Sequence, residues 1–220
     1  MLKENCSIKY IIRKNNKSIK YQSLFLMIHG YGSNEKNLFS FEKDIPENLF
    51  VISIRGIYRM DEDKYYWYNI DFSNDKKFIN KKQAKNSINN ISHFINYSIK
   101  KYNLKKDKVW LCGFSQGAIL SYAIALKNNK VKNVLSLSGY LDEEILPKKI
   151  YEINNIFSRK INFFISHGKY DNIIPVEWVR KSIKLLNNEK LFSIFYKEYD
   201  SEHNINDSNY IDLINWIKSK

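Results

Sequence analysis

Ser115 stands between two glycines in Gly113-Phe114-Ser115-Gln116-Gly117, directly after the apolar run Val109-Trp110-Leu111-Cys112 and directly before the helix-forming segment Ala118 to Leu126. A G-x-S-x-G pentapeptide at a strand-to-helix junction is the pattern of a nucleophile elbow, a strained turn that leaves the serine Oγ in the open. Small flanking residues are needed because a Cβ at either glycine would collide with neighbouring backbone. A serine so placed attacks a carbonyl only if a base takes its proton. The base in turn needs a carboxylate to hold its tautomer and stabilise the imidazolium.

The chain has four histidines. His93 falls on the polar side of an amphipathic helical segment. His29 and His167 each end a strand just before a glycine, a position suited to fixing a loop by hydrogen bonding. His203 remains, in Asp200-Ser201-Glu202-His203-Asn204 between the last strand and the C-terminal helix, and is the candidate base. The elbow motif goes with the chain order serine, acid, histidine. Asp171, in Ser166-His167-Gly168-Lys169-Tyr170-Asp171-Asn172, fits best, with Pro175 beyond it at a helix start. Asp142, in Ser138-Gly139-Tyr140-Leu141-Asp142, is the rival, and its competing role is a helix N-cap before Glu143-Glu144. The attacked carbonyl develops negative charge, which two backbone N–H groups must meet. Gln116, first in the helix after the nucleophile, is expected to supply one. The loop Ile28-His29-Gly30-Tyr31-Gly32-Ser33 is expected to supply the other, from Tyr31.

These residues need a scaffold that gathers distant strand ends. Short apolar or β-branched runs at 22–28, 49–54, 108–113, 133–138, 161–166 and 191–196 predict buried strands. Ile8 to Arg13 predicts an antiparallel edge. Between them lie helix-period segments, of which Ile88, Ile91, Ile95, Ile99 and Tyr102 share one face most clearly. Such alternation predicts one α/β domain over 1–220, with a mostly parallel central sheet flanked by helices. All seven glycines (30, 32, 56, 113, 117, 139 and 168) fall at or just beyond predicted strand ends, where ligands of open α/β sheets bind.

Composition narrows the function classes. The chain is 44% hydrophobic and 27% charged, as in soluble globular proteins, and no apolar run is long enough to cross a bilayer. Met1-Leu2-Lys3-Glu4-Asn5 carries an early acidic residue and no continuous apolar stretch, unlike a secretory signal, so a cytoplasmic location is expected. Cys6 and Cys112 alone predict neither a disulfide framework nor a metal cluster. The net charge of +13 comes from 31 Lys and only five Arg, and the lysines are scattered. Specific nucleic-acid readers favour Arg forks, so no specific nucleic-acid partner is expected.

The chain resembles the phospholipase/carboxylesterase family of small α/β-hydrolases, which includes acyl-protein thioesterases and lysophospholipases. The likeness covers nearly the whole chain. It is carried by His29-Gly30-Tyr31-Gly32, the pair Trp67-Tyr68, Gly113-Phe114-Ser115-Gln116-Gly117-Ala118, His167-Gly168-Lys169-Tyr170-Asp171 with Pro175, and His203-Asn204-Ile205. The resemblance implies an α/β-hydrolase fold without a separate cap domain and a cofactor-free hydrolase of esters or thioesters. In it Ser115, Asp171 and His203 form the triad, and Tyr31 and Gln116 are the oxyanion donors. One position departs: the family often has Gly before the histidine, and here Glu202 stands there. A carboxylate beside the base favours the imidazolium if the two side chains meet.

The long connection from Gly56 to about residue 82 carries Tyr58, Tyr65, Tyr66, Trp67, Tyr68 and Phe72. It is expected to be irregular and to wall the acyl site, with Trp67 and Tyr68 as candidate substrate contacts. The competing reading is that these aromatics cover the sheet edge. The expected partner is a small-molecule or acylated ester or thioester; a homodimer is left open. Two readings of another kind stand beside the enzyme: a catalytically silent member used as a binding module, and a basic protein of nucleic-acid or membrane surfaces.

Overall fold

A computed structural model describes residues 8–14, 21–71, 78–146, 160–187 and 192–220; Cys6 and Phe72 lie outside them. The strand runs become β1 (Tyr10–Ile12), β2 (Ser23–Ile28), β3 (Leu49–Ile54), β8 (Val109–Phe114), β9 (Val131–Leu137), β10 (Ile161–Gly168) and β11 (Phe192–Tyr199). They form one sheet in the order β1-β3-β2-β8-β9-β10-β11, parallel throughout except for the antiparallel edge β1.

Alternate residues of each inner strand enter two separate cores, and for this reason the strands read as continuous apolar runs. Leu24, Leu26 and Ile28 join a core that also takes Ile52, Leu111, Val134 and Phe163. Helix α2 (Lys81–Lys101) closes it with Ile88, Ile91, Phe94 and Ile95, α3 (Gln116–Lys127) with Ile119 to Leu126, and α4 (Val176–Asn187) with Val179 and Leu186. Phe25, Met27, Val51, Trp110, Leu135 and Phe164 point the other way. That face is closed by Leu38 of the short α1 (Lys36–Phe39) and by Leu213, Ile214, Trp216 and Ile217 of α5 (Asp207–Lys218). Helix α3 is buried from Gln116 to Leu126 and turns no polar face to solvent, whereas α2 keeps a polar face on which His93 is exposed.

The segment expected to be irregular differs. It folds as two small antiparallel pairs, β4 (Tyr58–Asp61) with β5 (Lys64–Tyr66) and β6 (Ile70–Asp71) with β7 (Phe78–Ile79). The first hides from pattern reading because its register shifts between Arg59 and Asp61, which breaks the period of two. Its turn places Asp63 at φ +54°, a conformation aspartate tolerates better than most residues. No helix among the described residues is long and apolar enough to cross a membrane.

Candidate active site

The parallel strands deliver their C-terminal ends to one edge of the sheet, and the site is assembled from the loops that leave them. Ser115 follows β8 at φ +53° and ψ −117°, a conformation that costs a non-glycine residue energy. Its neighbours make this turn feasible. A Cβ on Gly117 would stand 2.0 Å from the Ile28 carbonyl oxygen, and one on Gly113 would stand 2.4 Å from the Gly117 backbone. The Ser115 N–H donates to the Leu137 carbonyl at 2.8 Å, and the Ser115 carbonyl accepts from Ala118 at 2.9 Å, which holds the elbow between β9 and α3.

His203 leaves the loop after β11. That loop is pressed onto the end of β10, where a Cβ on Gly168 would meet the Glu202 carbonyl oxygen at 2.1 Å. Lys169 N–H donates to the Tyr199 carbonyl at 2.8 Å and Tyr170 N–H to that of Ser201 at 3.1 Å. His203 Nε2 then lies 2.9 Å from Ser115 Oγ and its Nδ1 lies 2.6 Å from Asp171 Oδ2. The three sequence-predicted triad residues, drawn from three loops, are thus in hydrogen-bond contact. The Phe114 ring, 5.1 Å from the imidazole centroid, backs His203.

The Asp171 side chain is fully buried, and its Oδ1 accepts N–H bonds from Ile173 at 2.9 Å and Ile174 at 2.8 Å. Burial alone would push its carboxyl up. The hydrogen bond from His203 and the two backbone N–H groups overcome that and hold it below the usual carboxylate range. The rival acid is elsewhere. Asp142 accepts from Tyr140 Oη at 3.2 Å and from Glu144 N–H at 2.9 Å, and burial lifts its carboxyl. It caps a turn over Glu143 and Glu144 rather than the expected helix.

Glu202 is exposed, and the partners of His203 are Ser115, Asp171 and the Phe114 ring. Solvent screens an exposed carboxylate. Glu202→Gln is therefore expected to leave kcat/KM within about fivefold of wild type. Steady-state kinetics of both proteins checks this; a larger loss would give Glu202 a part in the site.

His29 and His167 fix loops, as their strand-end positions suggest. His29 is fully buried: its Nε2 accepts the Gly56 N–H at 2.8 Å, and its Nδ1 lies 2.7 Å from the Gly30 carbonyl. Because Nε2 is the acceptor, the hydrogen sits on Nδ1 and is donated to Gly30. Burial pushes its pKa down to about 4, only partly offset by the Gly30 carbonyl and Glu35, so the ring is neutral. The same loop is anchored by Arg55, which donates through Nε to Glu35 at 2.6 Å.

Tyr31 and Gln116 flank the nucleophile. A Cβ on Gly30 would lie 3.2 Å from Ser115 Cβ, so the Gly30–Tyr31 peptide runs beside the serine. Gln116 opens α3, where the first N–H groups have no acceptor within the helix. Its side chain was not foreseen as a clamp. Oε1 accepts the Trp67 N–H and Nε2 donates to the Tyr68 carbonyl, both at 2.8 Å, while Trp67 Nε1 donates to the His29 carbonyl at 2.9 Å. Trp67 and Tyr68 are 0% exposed, so they present no surface to solvent and instead tie the two flanking segments together. Tyr31, Tyr58, Tyr65 and Tyr66 are partly exposed nearby, with ring centroids 5.4 Å apart for Tyr31–Tyr66 and 5.5 Å for Tyr58–Tyr66. Nothing in the sequence signals the clamp beyond the Trp67-Tyr68 pair itself. Among the described residues no group of three metal-binding side chains occurs.

Known proteins of this build share both sequence and fold with the chain. It is 27% identical over 173 residues to acyl-protein thioesterase 1 of Debaryomyces hansenii, covering 77% of this chain and 71% of the relative. It is 26% identical over 133 residues to acyl-protein thioesterase 1 of Candida albicans, covering 59% of this chain, and that match spans only 57% of the relative. The crystal structure of Zea mays acyl-protein thioesterase 2 has the same fold, with a TM-score of 0.78 at 16% identity over 96% of this chain and 98% of that one. A family model described as phospholipase/carboxylesterase matches residues 10–219. The chain therefore belongs to the phospholipase/carboxylesterase family, whose members are carboxylic ester hydrolases.

Proposed function

We propose that the protein is a serine hydrolase that cleaves carboxylic esters or thioesters, small-molecule or acylated, through an acyl-enzyme intermediate. One observation carries this reading: Ser115 Oγ, the His203 ring and the Asp171 carboxylate are linked at 2.9 and 2.6 Å across three loops. Ser115 Oγ attacks the carbonyl carbon while His203 Nε2 takes its proton. Asp171 stays ionised and stabilises the imidazolium. The tetrahedral oxyanion is met by the N–H groups of Tyr31 and Gln116. Collapse expels an alcohol or thiol, which receives the proton from His203. Water repeats the sequence in the second half and releases the acid. The family and the acyl-protein thioesterases among its relatives favour an acyl group on a protein or small-molecule carrier.

In this mechanism Trp67 and Tyr68 act through Gln116 rather than by touching substrate. His29 has a sharper role. A peptide's C=O and N–H point in opposite directions, so an imidazole that holds the Gly30 carbonyl also aims the Tyr31 N–H. His29→Ala is expected to lower kcat by roughly tenfold to a hundredfold with KM little changed, since the oxyanion exists only after attack. Steady-state kinetics beside a thermal melt tests it: unchanged kcat in a folded variant removes the aiming role.

The proposed function is tested by hydrolysis of p-nitrophenyl esters of graded chain length together with labelling by a fluorophosphonate. Turnover and one label on Ser115 are expected. A folded protein that neither hydrolyses nor takes the label is a silent member.

A further inference from the structure

A second imidazole lies against the carboxylate of the triad and has no part in the steps above. β10 ends in Ser166-His167-Gly168, and His167 is 0% exposed. Its Nε2 lies 2.8 Å from the Ile174 carbonyl oxygen and 3.3 Å from Asp171 Oδ2, the same oxygen that His203 Nδ1 approaches at 2.6 Å. A carbonyl only accepts, so Nε2 carries the hydrogen. Nδ1 is buried with no hydrogen-bond partner among the described residues. A bare ring nitrogen tolerates such a place far better than a charged N–H, whose burial without a partner is costly. His167 is therefore a neutral ring that donates its one N–H to the Ile174 carbonyl, with Nε2 standing 3.3 Å from Asp171 Oδ2.

Ile174 is the hinge of this arrangement. Its N–H is held by Asp171 Oδ1 at 2.8 Å and its C=O by His167 Nε2, so both peptide groups are pinned by side chains just before Pro175 and α4. The titratable groups that face His167 are Asp171 on the loop after β10, His203 on the loop after β11, and Glu198 on β11, itself paired with Arg180 of α4. Burial holds its pKa low, although the Ile174 carbonyl, Asp171 and Glu198 pull the other way.

We infer that His167 is a positioning residue for the catalytic acid: a neutral N–H donor that fixes the Asp171 rotamer through Ile174 and takes part of the charge on Oδ2 that would otherwise fall wholly on His203. The inference rests on the triad proposed above. Its consequence has a sign. Without the His167 N–H, Oδ2 has His203 as its sole ring partner, the imidazolium is favoured, and the base is free only at higher pH.

The experiment compares wild type, His167→Gln and His167→Leu with a p-nitrophenyl ester across pH, with fluorophosphonate labelling and thermal melts in parallel. Gln keeps an N–H near the Nε2 position and Leu does not. His167→Leu is expected to lose roughly tenfold to a hundredfold in kcat and to move the acidic limb to higher pH, while His167→Gln stays within about threefold with its limb in place. Two variants equally impaired with unmoved limbs, or neither impaired, overturn the inference. Ring-nitrogen NMR of the wild-type protein decides it should His167→Leu fail to fold: a neutral Nε2–H tautomer from pH 5 to 8 supports it, and a His167 that titrates there overturns it. Failure of the triad itself shows separately, as an inactive, unlabelled wild type, and takes the inference with it.

Discussion

Ser115→Ala is expected to fold normally and to lose roughly 10⁴-fold or more in kcat if Ser115 is the nucleophile proposed above. The substitution removes one oxygen from a residue whose backbone, at φ +53° with its N–H on Leu137, is held by the strand end and by the close-packed Gly113 and Gly117, not by the hydroxyl. Alanine meets the same backbone strain as serine, so the melting temperature should change little. The chemical loss is nearly complete because the members of a triad act as a unit. His203 has nothing to deprotonate, and only the oxyanion donors and binding remain. A purified variant within tenfold of wild type would mean that another residue carries the reaction.

The second large effect separates the two candidate acids. Asp171→Asn is expected to lower kcat by roughly 10³- to 10⁴-fold, and Asp142→Asn by less than about tenfold. Asp171 Oδ2 is 2.6 Å from His203 Nδ1, and a neutral amide there neither fixes the ring's tautomer nor offsets the imidazolium charge. Asp142 instead accepts from Tyr140 and Glu144, so its amide variant costs a turn contact and leaves His203 untouched. Kinetics of both purified variants beside wild type at one pH decides the assignment. The reverse order would transfer the acid's role to Asp142.

The strands of the main sheet were legible in the sequence, and so were three side chains that the fold brings into contact, Ser115, His203 and Asp171, for one physical reason. Strands buried on both faces read as unbroken apolar runs, and in a chain with only seven glycines four of them, Gly56, Gly113, Gly117 and Gly168, mark places where backbone meets backbone. Gly117 against Ile28 and Gly168 against Glu202 are two such places, and both border the site. Elsewhere the code is not local. The pair β4 and β5 was missed because its bulge at Arg59–Asp61 removes the period that would reveal it. The Gln116 clamp joins residues 49 and 48 positions apart, Trp67 and Tyr68, through backbone atoms that every residue possesses, so residue types could not announce it. Trp67 and Tyr68 looked like substrate contacts because large aromatics near a site are commonly ligand walls. Both are completely buried, and it is their backbone groups that bond the Gln116 side chain.

Ser115 leaves β8, in the middle of the sheet, whereas His203 leaves β11 at its border. β11 pairs with β10 alone, and most of its side chains are only partly covered, with Phe195 38% exposed. Border elements of this kind detach locally at a lower free energy than the whole domain unfolds. A fluctuation that frees β11 withdraws His203 from Ser115 while β2, β3, β8 and β9 stay paired. If the two act together as proposed, catalytic competence has its own, smaller stability than the chain that carries it, set by how firmly β11 holds to β10.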